Sequence, residues 1–265
     1  MTLRGLTLEE EAIEVIREYE PPEGYWLAFS GGKDSMVIHK LAELAGVRFD
    51  AHFNVTTVDP PEVVAFIKKN YPAVRFERPK DSMFRIIITH GIPPTRKIRY
   101  CCRELKEIGG TGRLVMLGVR RSESRGRGKR LIFDESKRVQ GKFHLNPILE
   151  WQTRDVWEFI HRHGLPYCEL YDRGRTRIGC ILCPLQGLRG RERDIQDYPK
   201  FVKAYILTFD RMLEHLREEG KNIPEIWTSG EAVFKWWIWG DHLDQKSSLQ
   251  KTPPVKPLMI SEGGA

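Results

Sequence analysis

The chain has 265 residues, enough for one large domain or a domain with a helical annex, and its 43 Lys and Arg against 36 Asp and Glu give a formal charge of +7. No stretch approaches eighteen apolar residues and the N-terminus has no charged segment leading into an apolar run, which excludes a spanning helix and predicts a cytoplasmic protein without membrane contact. The positive balance suits an anionic partner such as a nucleotide, a sulfate ester or a nucleic acid, and five cysteines in that compartment point to metal binding or catalysis over disulfides.

Residues Thr7 to Tyr19 carry Leu8, Ala12, Ile13 and Ile16 at helical spacing, and Pro21-Pro22 ends that helix. Trp26 to Phe29 reads as a buried strand, Ser30-Gly31-Gly32 as a turn needing unhindered backbone, and Asp34 to Ala45 as an amphipathic helix. Val47 to Val55 is a second strand and Thr56 to Pro61 a loop. Glu62 to Asn70 is a helix, Val74 to Glu77 a third strand, and Asp81 to His90 a helix with Asp81 as its cap. This alternation predicts a parallel sheet.

A basic loop, Gly91 to Lys106, leads into a short helix, and Leu114 to Val119 is a further apolar strand. Arg120 to Arg138 holds eight Lys or Arg and three acidic residues, and reads as a mobile basic loop, either a clamp over phosphates or a solvated face. Thr153 to Arg162 is a helix capped by Thr153, and Gly164 to Arg193 is irregular and basic. Asp197 to Glu219 is a long amphipathic helix. Ser229 caps a last helix through Trp239, whose tryptophans suggest packing against the body of the protein. From Gln245 to Ala265 the composition predicts disorder. The resulting division is 1–195, a helical extension at 196–244 and a tail at 245–265.

The strand, glycine turn and helix around Ser30–Ser35 make an anion site. Backbone amides and the positive end of the helix dipole converge there, Lys33 adds a mobile charge, and Ser30 and Ser35 add hydroxyls. The spacing matches neither the Walker pattern nor Gly-x-Gly-x-x-Gly, and the bland alternative is a βα turn rich in small residues. Cys101 and Cys102 are adjacent, and Cys180 and Cys183 form Cys-x-x-Cys; both pairs sit in basic loops. Adjacent thiolates suit separate corners of a [4Fe–4S] cluster better than one tetrahedral zinc, with redox thiols or plain buried cysteines as further alternatives. Thr57 and Asp59, after the second strand, are candidates for nucleotide or Mg²⁺ contacts. Glu62 is explained equally by the helix dipole. Cys168 and His39 read first as packing residues.

Ser-Gly-Gly-Lys-Asp-Ser, comprising Ser30, Gly31, Gly32, Lys33, Asp34 and Ser35, resembles the signature of the PP-loop ATP pyrophosphatases. Together with Cys-Cys, Ile-Gly-Cys-x-x-Cys-Pro and the preceding Leu165 to Gly174 stretch, it looks like the adenylylsulfate and phosphoadenylylsulfate reductase family of that superfamily, over about Tyr25 to Leu185. The resemblance implies an α/β fold of PP-loop (adenine nucleotide alpha hydrolase-like) type. Its mostly parallel, five-stranded sheet carries flanking helices and a helical C-terminal region. It makes Cys101, Cys102, Cys180 and Cys183 the cluster ligands, and sets Gly118, Arg120 and Arg125 near the substrate. Two features depart from the reductases: no cysteine follows Cys183, and Lys33 and Ser35 are intact.

An intact loop implies that ATP itself is used, with Lys33, Ser35 and Arg125 as catalytic candidates. The expected activity is ATP-dependent adenylation of an anionic acceptor, a nucleic acid or sulfonucleotide, coupled to sulfur transfer from a donor or thiol protein. The alternatives are a sulfonucleotide reductase using an external thiol, and a non-catalytic iron–sulfur nucleotide or nucleic-acid binder.

Overall fold

The computed structural model describes residues 5–136 and 139–240. In chain order its elements are α1 (Leu8–Glu18), β1 (Tyr25–Ala28), α2 (Lys33–Ala45), β2 (Phe49–Asn54), α3 (Pro61–Asn70), β3 (Arg75–Glu77), α4 (Met83–His90), α5 (Tyr100–Leu105), β4 (Val115–Met116), β5 (Phe133–Glu135), β6 (Phe143–Leu145), α6 (Thr153–Arg162), α7 (Leu188–Asp197), α8 (Pro199–Glu218) and α9 (Gly230–Lys235).

The sheet order is β3-β2-β1-β4-β6-β5. The first five in that order run parallel, as the alternating pattern predicts, with Leu27 of β1 opposite Ala51 on one side and Met116 on the other. The sixth strand, β5, is antiparallel to β6. It falls inside the run read as a mobile basic loop, so that reading needs correction. The charges are paired: Arg130, just before β5, holds Asp134 through two hydrogen bonds of 2.6 and 2.8 Å, and Phe133 stacks on Tyr19 at 5.2 Å and, across the hairpin, on Phe143 at 5.5 Å. Positions 137 and 138 of that run lie outside the described residues.

Three boundaries also move. The α4 cap is Ser82, whose hydroxyl accepts from the Arg85 amide, in place of Asp81. The α6 cap is Gln152, which leaves the Thr153 hydroxyl free to accept from Arg120. The second half of the supposed irregular basic stretch is α7, where Asp194 is buried and organises the turn before it. The C-terminal tail expected to be disordered lies outside the described residues.

Two apolar cores result. One lies around the sheet, beneath α1, α2, α3 and α6, and contains Leu27, Ile38, Leu41 and Phe159. The other joins α4 and α5 to α8 and α9 through Ile87, Tyr205, Phe209 and Trp237, and includes Cys180. Trp237 is 3 % exposed and its indole donates to Pro94 O at 2.6 Å, so the tryptophan-rich end packs on the body as expected. Among the described residues no helix is long and apolar enough to cross a membrane.

Candidate functional site

Strand β1 is the centre of the sheet, and the order turns back on itself between β1 and β4; the crevice beyond the strand ends at such a point is where open α/β sheets bind ligands. The Ser30–Ser35 turn leaves β1 there. Gly31 has φ +69°, and a Cβ on it would lie 2.9 to 3.0 Å from Ile67 and Val63 side chains, so only glycine fits. Helix α2 starts at Lys33 with Gly32 as N-cap and no side-chain cap, which leaves its first amides for an anion. Two are engaged in this structure: the Lys33 amide donates to Tyr171 Oη at 2.9 Å and the Ser35 amide to Gly32 O at 3.0 Å. Ser30 Oγ donates to Ser35 Oγ at 3.2 Å, and Ser35 Oγ to Gly32 O at 2.8 Å.

Behind the turn, Asp34 joins two cations. Lys33 Nζ lies 3.2 Å from one carboxylate oxygen and Arg120 Nε 2.6 Å from the other. Arg120 is 2 % exposed, and its remaining donors reach Ser122 and Thr153 at 3.1 and 3.2 Å. A guanidinium committed in this way holds β4's exit to α2. Gly118 serves the same junction, since a Cβ there would lie 2.8 Å from the Asp34 backbone. The resulting cavity, about 350 Å³, is lined by Ser30, Lys33, Ser35, Asp59, Arg127 and Tyr171 among others.

All four paired cysteines line a second cavity of about 280 Å³. The Cys180–Cys183 turn is held by Leu182 at φ +59°, by the Ile181 amide donating to Val58 O at 2.8 Å, and by buried Asp194, which accepts from the Leu182 amide at 2.7 Å, Gln186 at 2.8 Å and Arg175 at 2.5 Å. Cys180 Sγ donates to Thr56 Oγ1 at 3.4 Å. Cys102 is held down to about 5 by the hydrogen bond it accepts from Cys101 and by Arg99, whose Nη2 lies 3.7 Å away. That same bond, with burial and the neighbouring thiols, pushes Cys101 far up, and burial raises Cys183. Lys106 is raised chiefly by the charge of Cys180. Its accessible surface faces the cavities it lines, so protein surrounds it although solvent reaches it.

The two cavities share a wall of Ser30, Lys106, Glu107, Arg127, Arg177, Ile178 and Gly179. A third, about 670 Å³, adjoins them at Lys106 and Arg127 and extends beneath the β5–β6 hairpin to Lys142 and His144.

The remaining sequence candidates separate clearly. Asp59 lines the Ser30–Ser35 cavity and accepts from the Thr56 amide and hydroxyl, each at 2.7 Å. Thr57, at φ +64°, turns its hydroxyl to the Met83 amide, 2.9 Å away, outside the linings of these three cavities. Arg125 is exposed and also outside them, whereas Arg127 lines all three and pairs with Glu123. Glu62 accepts from Arg173 and Tyr198 at 3.2 and 3.0 Å. Cys168 is buried in the sheet core, and His39 packs between Phe29, Phe49 and Tyr71. Sequence reasoning passed over Lys106 and Asp194, and met Arg127 and Tyr171 only as members of longer stretches, the basic run 120–138 and the Leu165–Gly174 motif. Lys106 had a signal, lying four residues after Cys102 on a helical face; Asp194 had none, because long-range contacts define it, and the Leu165–Gly174 motif marks Tyr171 without saying what it touches.

A profile of the phosphoadenosine phosphosulfate reductase domain matches residues 24–186. A Methanocaldococcus jannaschii protein of uncharacterised function is 31% identical over 259 residues, covering 92% of this chain and 60% of that protein. The chain therefore spans less than two thirds of that relative, and 45% of a second one from the same organism. The adenosine 5'-phosphosulfate reductase of Oceanobacillus iheyensis is 28% identical over 174 residues, covering 60% of this chain and 70% of that one. In fold, the chain is similar to phosphoadenylyl-sulfate reductase from Candida auris, with a TM-score of 0.50 and 20% identity over 68% of this chain and 90% of that one. With the Ser30–Ser35 turn, the sheet and the cysteine pairs all inside the matched residues, the chain belongs to the phosphoadenosine phosphosulfate reductase domain family.

Proposed function

We propose that this protein is an ATP-dependent adenylating enzyme of sulfur chemistry, joining AMP to an anionic acceptor with release of pyrophosphate. The observation that carries the reading is the wall shared by the phosphate and cysteine cavities, across which a nucleotide and a thiol-bound group would face one another. The N-terminus of α2 with Ser30 and Ser35 binds the β,γ-phosphates. Lys33, 5 % exposed, offsets the charge that grows on pyrophosphate as its bond to the α-phosphorus breaks, in surroundings where a charge contact is strong. Asp34, held by Arg120, sets the ammonium's direction of approach. Asp59 keeps lone pairs beyond its two Thr56 contacts and is the carboxylate that would hold Mg²⁺ on the phosphates. Arg127 takes the clamp role in place of Arg125.

The donor set fits a [4Fe–4S] cluster better than a single ion. A tetrahedral zinc needs every sulfur at about 2.3 Å, which adjacent Cys101 and Cys102 meet less readily than they meet separate corners of a cluster. Cys101, Cys102, Cys180 and Cys183 would hold the cluster, with Arg99 and Lys106 offsetting its negative charge. Such a group supplies redox and sulfur-binding chemistry when present. The sulfur that replaces AMP on the acceptor comes from an external donor.

For the acceptor, Arg177 and Arg189 are exposed, make no hydrogen bond or ion pair with any described residue, and line a cavity of about 330 Å³ next to the cysteines. Cations without carboxylate partners suit a chain of phosphates, and binding would weaken steeply with salt. Anaerobic purification with iron and sulfide analysis, followed by a pyrophosphate-release assay with ATP and tRNA or duplex DNA, tests the reading. About four irons per chain and acceptor-dependent pyrophosphate are expected. Stoichiometric zinc without sulfide would overturn the cluster, and absence of pyrophosphate the adenylation.

A second reading, reduction of adenylylsulfate or its 3′-phosphate by an external thiol, is favoured by the similarity to the Oceanobacillus iheyensis reductase. Sulfite release from adenylylsulfate without pyrophosphate release from ATP would put it first.

A further inference from the structure

We infer that Tyr171 is a phosphate-contacting residue, donating its hydroxyl proton to phosphates bound at the Ser30–Ser35 turn. This rests on the nucleotide reading above. The amide of Lys33 opens α2, and the first amides of a helix have no partner within it. Here that amide donates to Tyr171 Oη at 2.9 Å, across most of the chain. A phenol that accepts one hydrogen bond retains one proton to give. No described residue accepts it, although Tyr167 nearby gives its own to Asp172 at 3.2 Å. Tyr171 lines the same cavity as Ser30, Lys33 and Ser35.

The ring is held for this task. Trp157 meets it edge-on at 5.0 Å and 90°, and the Lys33 ammonium lies 6.0 Å from its centroid. Burial raises the phenol's pKa against the opposing pull of the Lys33 amide, so the group stays a donor. A chain of amide, phenol and phosphate strengthens each link by polarisation. Tyr171 therefore passes the helix dipole one step further into the cavity than the backbone alone can reach. It also belongs to the segment that carries Arg177 and Cys180, so a bound phosphate touches the cysteine-bearing chain directly.

Calorimetric titration of the full chain with inorganic pyrophosphate and with adenosine, for the parent protein and Tyr171→Phe, tests this. Phenylalanine keeps the Trp157 contact and removes only the hydroxyl; matching thermal unfolding of the two proteins confirms the fold. The expected result is pyrophosphate binding weakened about ten-fold or more, with adenosine binding unchanged. Equal pyrophosphate affinity in both proteins, or equal losses for adenosine and pyrophosphate, overturns the role of Tyr171 while leaving the nucleotide reading standing. A parent protein that binds neither pyrophosphate nor ATP overturns both.

Discussion

The phosphate turn and the cysteine cavity meet at one wall but are built in opposite ways. Ser30 to Ser35 are consecutive, and strand, glycine and helix fix them almost without help. The cysteine cavity is assembled from the loop at Thr56, helix α5 and the Cys180 turn, and depends on one buried carboxylate, Asp194, for its shape. The first site is backbone geometry waiting for an anion. The second is a set of buried side chains that settle their charges among themselves, as the opposed shifts across the Cys101–Cys102 hydrogen bond display. A site of the first kind fails when one charge is removed; a site of the second kind fails when its support is.

The sharpest break between them is Lys33→Ala, which should lower ATP-dependent pyrophosphate release by about 10²–10³-fold, the usual loss for one electrostatic contact to a developing charge. Iron content should stay at the parent level, and a parallel loss of iron would show that the two sites are one unit. The converse is Cys180→Ser, expected to lose most of the iron because three thiolates hold a cluster weakly. Nucleotide titration should still give the parent affinity, and a loss there would erase the distinction.

Asp194→Ala probes support without touching a thiol. Removing it leaves half-buried Arg175 with Asp197 as its one carboxylate and frees the Leu182 amide and Gln186, so urea unfolding should show a loss of about 1–3 kcal/mol; a change within error would mean that the Cys-x-x-Cys turn stands by itself. The smallest effect concerns His39, behind the phosphate turn. Burial lowers its pKa, so its neutral form is favoured in the fold; this contribution is complete above the unfolded value and is lost as pH falls toward the folded one. His39→Phe should flatten the decline in urea midpoint between about pH 7 and 5, set by that ordinary value near 6.5. An unchanged slope would assign the decline to other groups.

The same contrast decides what could be read in advance. The parallel strands, the phosphate turn and the location of both cysteine pairs were legible because apolar runs, glycines and short spacings express local physics. Strand β5 was not, since Arg130 and Asp134 look solvated until the hairpin brings His144 against both. Arg120 carries a ligand-like position in sequence, but its salt bridge to Asp34 spans 86 positions and buries it. Tyr171 reaches Lys33 across 138 positions, and no periodicity announces such a bond.

Both rims of the sheet are three residues long and charged, Arg75–Glu77 at one and Phe133–Glu135 at the other. A strand arriving from another molecule would find few open amides and would bring its own side chains against Arg75, Glu77, Asp134 or Glu135. Strand addition at a rim, the route by which exposed edges seed aggregation, is thus discouraged at each end. The short, late hairpin that looked like decoration on a basic loop closes the sheet to its neighbours as the chain folds.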